Sequence, residues 1–138
     1  MKKYFLFPLI TLIVFACGAR MDKTLPEHLA NRSFALNEVN GVPFAAEITP
    51  ILAFAGDMRI SGAICNNFTG KAELKDDILT AKYLASTKKM CFAEDLNELE
   101  SNFMRMLDTG MKAVLDGEIL TLSQGGHSFA YRLENNNP

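Results

Sequence analysis

Turn-forming residue pairs punctuate this chain at Asn40-Gly41, Gly56-Asp57, Asp76-Asp77, Asp116-Gly117 and Gly125-Gly126, and short runs rich in apolar residues lie between them. Glycine has no Cβ, and Asn or Asp tolerates left-handed backbone, so such pairs supply the positive φ of a tight hairpin. This spacing leaves room only for short strands, each antiparallel to the next. Phe34 and Leu36 alternate with polar or small neighbours ahead of Asn40-Gly41. Residues 51–54 and 59–61 flank Gly56-Asp57, and residues 68–74 and 78–84 flank Asp76-Asp77. Residues 118–122 follow Asp116-Gly117, and Phe129, Tyr131 and Leu133 recur at period two after Gly125-Gly126.

From Glu94 the period changes. Leu96, Leu99, Phe103, Met106 and Leu107 fall at i, i+3, i+7, i+10 and i+11, which gathers them on one helical face. Glu94, Asp95, Glu98 and Glu100 crowd its first turns, where the helix dipole favours negative charge, and Gly110 is placed to end it. Earlier, Thr24-Leu25-Pro26-Glu27 has a capping-box pattern that predicts a short helix to Asn31. The fold class is therefore α+β: a curved antiparallel β-sheet or partly open β-barrel of about eight strands, with one main amphipathic helix packed on it.

The first residues obey other rules. Lys2 and Lys3 precede an uncharged apolar run over residues 4–16, which is the pattern of a secretory leader. The run contains Pro8 and falls short of the about 20 apolar residues that cross a bilayer. Val14-Phe15-Ala16-Cys17 resembles the lipobox of bacterial lipoproteins, in which cleavage leaves an acylated cysteine as the new N-terminus. The expected organisation is a signal peptide over 1–16, a lipidated tether over 17–23 beginning at Cys17, and one domain over 24–138. Several acyl chains on one residue would anchor it stably. Gly18 rather than Asp after the cysteine implies, by resemblance to enterobacterial sorting, an outer-membrane lipoprotein facing the periplasm.

Roughly 120 residues then remain, enough for one core and too few for two. The whole chain has formal charge −2, and loss of two leader lysines makes the remainder more acidic. That balance argues against nucleic acid as a partner. Of three cysteines, Cys65 and Cys91 are left once Cys17 is lipidated, and they form a candidate disulfide in a compartment that permits oxidation. Two buried thiols packing as small hydrophobes are the other possibility.

Chemistry has fewer landmarks. A zinc site needs about four compactly spaced N or S ligands, whereas His28 and His127 stand far apart and two cysteines can pair with each other. No metal or other cofactor is expected. His127-Ser128 has no nucleophile-elbow pattern around it, and Asp76-Asp77 fits a solvated turn better than a general acid pair. In Cys65-Asn66-Asn67-Phe68-Thr69-Gly70, Asn suits a turn and Phe68 suits a core; alternatively Asn66, Phe68 and Thr87 line a groove beside the cysteines. Lys82, Lys88 and Lys89 fit a solvated strand edge or an anionic lipid contact, and Met104, Met106 and Met111 fit helical core filling better than a soft binding surface.

Ile60-Ser61-Gly62, Cys65-Asn66-x-Phe68-x-Gly70, Leu84-Ala85-x-Thr87-x-x-Met90-Cys91 and Asn97-Glu98-Leu99 follow one another in an order that resembles the META domain family. Within it the match is to the heat-inducible HslJ-type lipoproteins. Phe34-x-Leu36-x-x-Val39-Asn40-Gly41 and Leu120-Thr121-Leu122 extend the likeness over about residues 33–133. Ile64 stands where many members carry glycine before the cysteine, and Phe34 where many carry tryptophan. The resemblance implies a partly barrel-like antiparallel fold with a packed helix, and a role in envelope stress or antibiotic tolerance without known catalysis. Three functions follow as expectations: a non-enzymatic, monomeric, lipid-anchored protein that contacts the membrane and an unknown envelope protein; a periplasmic β-barrel carrier of a small ligand; and an enzyme using His127, Asn66 or Thr87.

Overall fold

A computed structural model describes residues 24–135. The leader, Cys17, the tether and most of the C-terminal tail lie outside the described residues. The chain begins with helix α1 (Leu25–Leu29), followed by strands β1 (Arg32–Val39), β2 (Val42–Pro43), β3 (Ile51–Phe54), β4 (Arg59–Ala63), β5 (Asn67–Lys75), β6 (Ile78–Ala81) and β7 (Ala85–Ser86). Helix α2 (Glu94–Thr109) and strands β8 (Met111–Asp116), β9 (Ile119–Gln124) and β10 (His127–Leu133) complete it.

All strand pairs are antiparallel, in the order β10-β9-β8-β6-β5-β4-β3-β1. The first and last strands of that series also pair, with Phe34 opposite Leu133 and Val39 opposite Phe129. This closes the sheet into an eight-stranded barrel. Full closure, rather than a partly open barrel, is not legible locally, because no short-range pattern announces a pairing between strands about a hundred residues apart. A register shift between Leu36 and Glu38 marks an irregularity on β1 where it meets β10; such bulges help a sheet bend. Strands β2 and β7 are short additions on β1 and β5.

The turns follow their chemistry. Asn40 and Gly41 take φ of 52° and 76°, Asp76 and Asp77 take 50° and 61°, and Gly117 and Gly125 also lie left-handed. Gly56-Asp57 differs, because Met58 adopts the positive φ while the Asp57 carboxylate accepts the Arg59 N–H. The strand expected over 78–84 stops at Ala81, and Tyr83 is left-handed and almost fully exposed. Helix α1 stops at Leu29, before a left-handed Asn31, and Glu27 reaches back to the Thr24 N–H at 2.6 Å as its capping box requires.

Alternate residues of the strands point inward. Phe34, Leu52, Ile60, Leu79, Leu120, Leu122, Phe129 and Tyr131 are among the side chains that fill the barrel. The two helices close its ends. Leu29 of α1, fully buried, sits where β1 begins, and Asn31 lies beside Gly56 of the β3–β4 turn at that end. Helix α2 covers the other end and buries Phe103, Met106 and Leu107. The Phe103 ring lies 6.0 Å from Phe68 on β5, and 5.2 and 6.2 Å from Phe129 and Tyr131 on β10. A ring in contact with strands so far apart in the order must enter the barrel mouth. Burial also pushes the Tyr131 phenol well above its ordinary pKa, so the hydroxyl stays neutral in the folded protein.

Gly110 ends α2 with φ of 113°, and a Cβ there would meet the Ile78 side chain at 2.8 Å. Met106 and Met111 are buried, but Met111 belongs to β8 rather than to the helix. No helix among the described residues is long and apolar enough to cross a membrane.

Candidate functional site

The segments expected to carry function meet at the α2 end of the barrel. The chain leaves β4, turns through residues 64–66 and returns along β5, while residues 87–93 pass alongside before entering α2. Cys65 and Cys91 are joined there as a disulfide, with Cα atoms 5.9 Å apart across a sequence separation of 26. It fastens the β4–β5 turn to the irregular segment that leads into the helix.

Asn66 sits at the centre and is the sole buried polar residue among those described, 6% exposed. Its Nδ2 donates to Glu100 Oε1 at 2.8 Å and to the Lys89 carbonyl at 3.2 Å. Its Oδ1 accepts from Thr87 Oγ1 at 2.9 Å and from the Lys89 N–H at 2.6 Å. The amide's two donors and both lone-pair sites are thus matched, which is the condition for burying it cheaply. Glu100 Oε2 accepts two further N–H groups, from Cys65 at 2.9 Å and Asn66 at 2.5 Å. Asn97 completes the array: its Oδ1 accepts the Cys91 N–H and its Nδ2 donates to the Cys91 carbonyl.

The arrangement is a clamp. A turn with no internal ladder, a segment without regular structure and a helix are held together by side chains that satisfy backbone groups which would otherwise be orphaned. Thr87 adds a bond from the Asn67 N–H, and its own N–H donates to the Asn67 carbonyl. Asn66 therefore faces into the protein rather than into a groove. Phe68 is a core residue, 3% exposed, and Thr87 is exposed. Phe68 and Thr87 border a shallow hollow of about 330 Å³ beside β7, and Asn66 does not line it.

Glu100 carries no mark in the sequence, although it accepts two hydrogen bonds from Asn66 and a third from the Cys65 N–H. By type it is one of the acidic residues that favour the helix dipole, and its partner is fixed only by how α2 lies against the β4–β5 turn. The other residues considered for chemistry are scattered. His28 lies on α1 at one end of the barrel and His127 at the other, where His127 is exposed and the Ser128 N–H is held by Asn40 Oδ1. Asp76 and Asp77 form an exposed turn. Lys82 borders one hollow with Lys71, Glu73, Thr80 and Tyr83, whereas Lys89 borders another. Among the described residues, no group of three or more His, Cys, Asp or Glu is placed to hold a metal ion.

Next to the clamp, residues 44–48 and 89–93 form the two walls of an open recess of about 580 Å³, with Cys65 and the start of α2 also contributing. Its side chains include some of the most exposed large apolar groups of the molecule: Ile48 is 59% exposed, Met90 92%, and Phe92 fully exposed.

The order of these landmarks along the chain has a direct counterpart in known proteins. The META domain family model matches residues 27–136. The chain belongs to the META domain family. It is 37% identical over 136 residues, 96% of each chain, to a protein of Escherichia coli (strain K12) named heat shock protein HslJ. An NMR structure at the same identity superposes with a TM-score of 0.72, covering 80% of this chain and 95% of that one. A second NMR structure, of a protein from Burkholderia xenovorans, is 18% identical and shares the fold with a TM-score of 0.64, covering 80% and 87%. The residues of the clamp thus belong to a META domain related to a heat shock protein, and the signature Cys-Asn-x-Phe-x-Gly has a structural account in it.

Proposed function

We propose that this META-domain protein is a lipid-anchored component of the bacterial envelope, tethered through Cys17 to the outer membrane and facing the periplasm. It supports tolerance of heat or antibiotic stress through contacts with envelope proteins rather than through catalysis. The observation that carries this reading is the clamp. The polar residues most characteristic of the chain, Asn66, Thr87, Asn97 and Glu100, hydrogen-bond to one another or to backbone, so they hold surface loops in place. Support for the stress role comes from the likeness to heat shock protein HslJ, and for the anchor from the leader and Cys17.

A barrel carrier of a small ligand fits less well, because Phe34, Phe54, Phe68, Phe103 and Phe129 occupy the interior. The test has two arms. Intact mass of protein extracted from membranes should show acyl groups added at Cys17 and the leader removed. Deletion of the gene should lower survival of heat or antibiotic exposure, with wild-type and Cys17→Ala forms compared for rescue. An unacylated protein, or a deletion strain with unchanged survival, would overturn the corresponding half of the proposal.

A further inference from the structure

Helix α2 holds both cysteines by routes that do not pass through their sulfurs. Glu100 Oε2 accepts the Cys65 N–H at 2.9 Å. One turn earlier, Asn97 Oδ1 accepts the Cys91 N–H at 3.3 Å, and Asn97 Nδ2 donates to the Cys91 carbonyl at 3.0 Å. Residues at i and i+3 share a helix face, so the two cysteine backbones are fastened to one side of a single regular element. That element is a splint, and it persists when the bond between the sulfurs is broken. Asn66 reinforces it by binding the Lys89 N–H and carbonyl, two residues from Cys91.

The rest of the domain does not rely on the bridge. Neither cysteine belongs to the buried apolar cluster, and the barrel closes through β1 and β10 rather than through the segments that carry them. The sulfurs are also within reach of small reagents, because both cysteines are half-buried and border the open recess between residues 44–48 and 89–93. A reduced Cys65 finds acceptors already in place: its sulfur lies 3.7 Å from Asn97 Oδ1 and 3.8 Å from the Lys89 carbonyl oxygen. A thiol is a weak donor that such groups satisfy where it stands.

We infer that Cys65 and Cys91 form a reversible dithiol–disulfide couple that cycles inside the folded domain, with Asn97 and Glu100 as its positioning residues. In reduction, one thiolate of an external dithiol attacks a sulfur of the bridge and expels the other cysteine as a thiolate, which takes up a proton. The second thiol of the donor then attacks the mixed disulfide, so two electrons pass to the protein and the donor leaves as a disulfide. Oxidation by a small disulfide runs the same exchange in reverse. The splint acts through the loop between the cysteines, whose freedom opposes reclosure across the 26-residue separation. Asn97 and Glu100 have already removed part of that freedom in the reduced protein, so less is lost when the sulfurs rejoin. The inference goes beyond the proposed function and holds whether or not Cys17 is acylated.

The test uses the full chain, extracted from membranes in detergent and equilibrated anaerobically in buffers of reduced and oxidised dithiothreitol. Alkylation and peptide mass report the state of Cys65 and Cys91. The reduced protein should keep its far-UV circular dichroism and a cooperative melt, and glutathione disulfide should restore the bridge without denaturant once the reductant is removed. Asn97→Ala should be reduced at a reagent ratio at least about fivefold milder than wild type, because its freed Cys91 loses more on reclosure. Glu98→Ala, at an exposed position one residue along the helix, should stay within about twofold of wild type. A contact that only supports the fold stabilises oxidised and reduced protein alike and leaves that ratio unmoved. Unfolding on reduction, failure of the bridge to return, a smaller shift for Asn97→Ala, or an equal shift for Glu98→Ala overturns the inference.

Discussion

Asn66→Ala is the substitution that most directly tests the account of the clamp. It deletes the Nδ2 donor to Glu100 and the Lys89 carbonyl, and the Oδ1 acceptor for Thr87 and the Lys89 N–H. A neutral hydrogen bond contributes about 0.5–1.5 kcal/mol net, and one to a charged group about 1.5–3 kcal/mol. Thr87 and Lys89 are exposed and regain water when Asn66 is lost, which discounts their share; half-buried Glu100 regains less. The expected cost is about 3 kcal/mol, or roughly 12 °C in Tm for a domain of this size. Urea unfolding of the oxidised protein should show a lower midpoint with an unchanged m-value. Glu100→Gln should be costly too, because an amide presents a donor where the carboxylate accepts N–H groups. The two substitutions should couple by at least about 1 kcal/mol in a double-mutant cycle, since they share one network. A cost below about 1 kcal/mol for Asn66→Ala, or additive effects of the pair, would refute the claim that Asn66 organises this end of the barrel.

Reduction of the Cys65–Cys91 bridge frees a loop of 26-residue separation. The loop-entropy model assigns it about 3.5 kcal/mol, so melts with and without reductant should differ correspondingly, and coincident melts would reject a stabilising bridge. Gly62→Ala should destabilise by about 2 kcal/mol or more, because its Cβ would press on the Ile51 carbonyl oxygen and lie 2.5 Å from Phe68 Cζ; a stability within 0.5 kcal/mol of wild type, the usual order for surface changes, would count against that packing. The folded-state pKa of Tyr131 is raised above its unfolded value of 10.0 by burial. Its contribution to stability is therefore complete below that pH and is lost as pH rises above it. Absorbance at 295 nm should show Tyr131 ionising only as the protein unfolds, and Tyr131→Phe should flatten the alkaline loss of stability; an early, reversible ionisation in the folded protein would contradict the burial.

Much of the fold can be read locally. The turns at Asn40-Gly41, Asp76-Asp77, Gly117 and Gly125 lie where residue type permits positive φ, and α2 spans the helical apolar stripe from Glu94 to its stop at Gly110. The strands differ mainly at their ends, as with β6, which stops short at Ala81. Less of the site is readable. Cys65, Asn66, Thr87 and Cys91 can be singled out by type and family order, yet type alone leaves Asn66 suited equally to a turn and to a groove. Glu100 has no local mark that separates it from Glu94 or Glu98.

Hairpin positions, the helix and its apolar face, the paired availability of Cys65 and Cys91, and the leader ahead of Cys17 follow from the sequence, because each depends on residues close together in the chain. Closure of the barrel by β1 and β10, entry of Phe103 into its mouth, the meeting of Asn66 with Glu100 and the opening of the recess between residues 44–48 and 89–93 were decided by tertiary structure. Each joins segments distant in sequence, and which distant groups meet depends on how the whole apolar surface packs, a sum over the core that no local pattern contains.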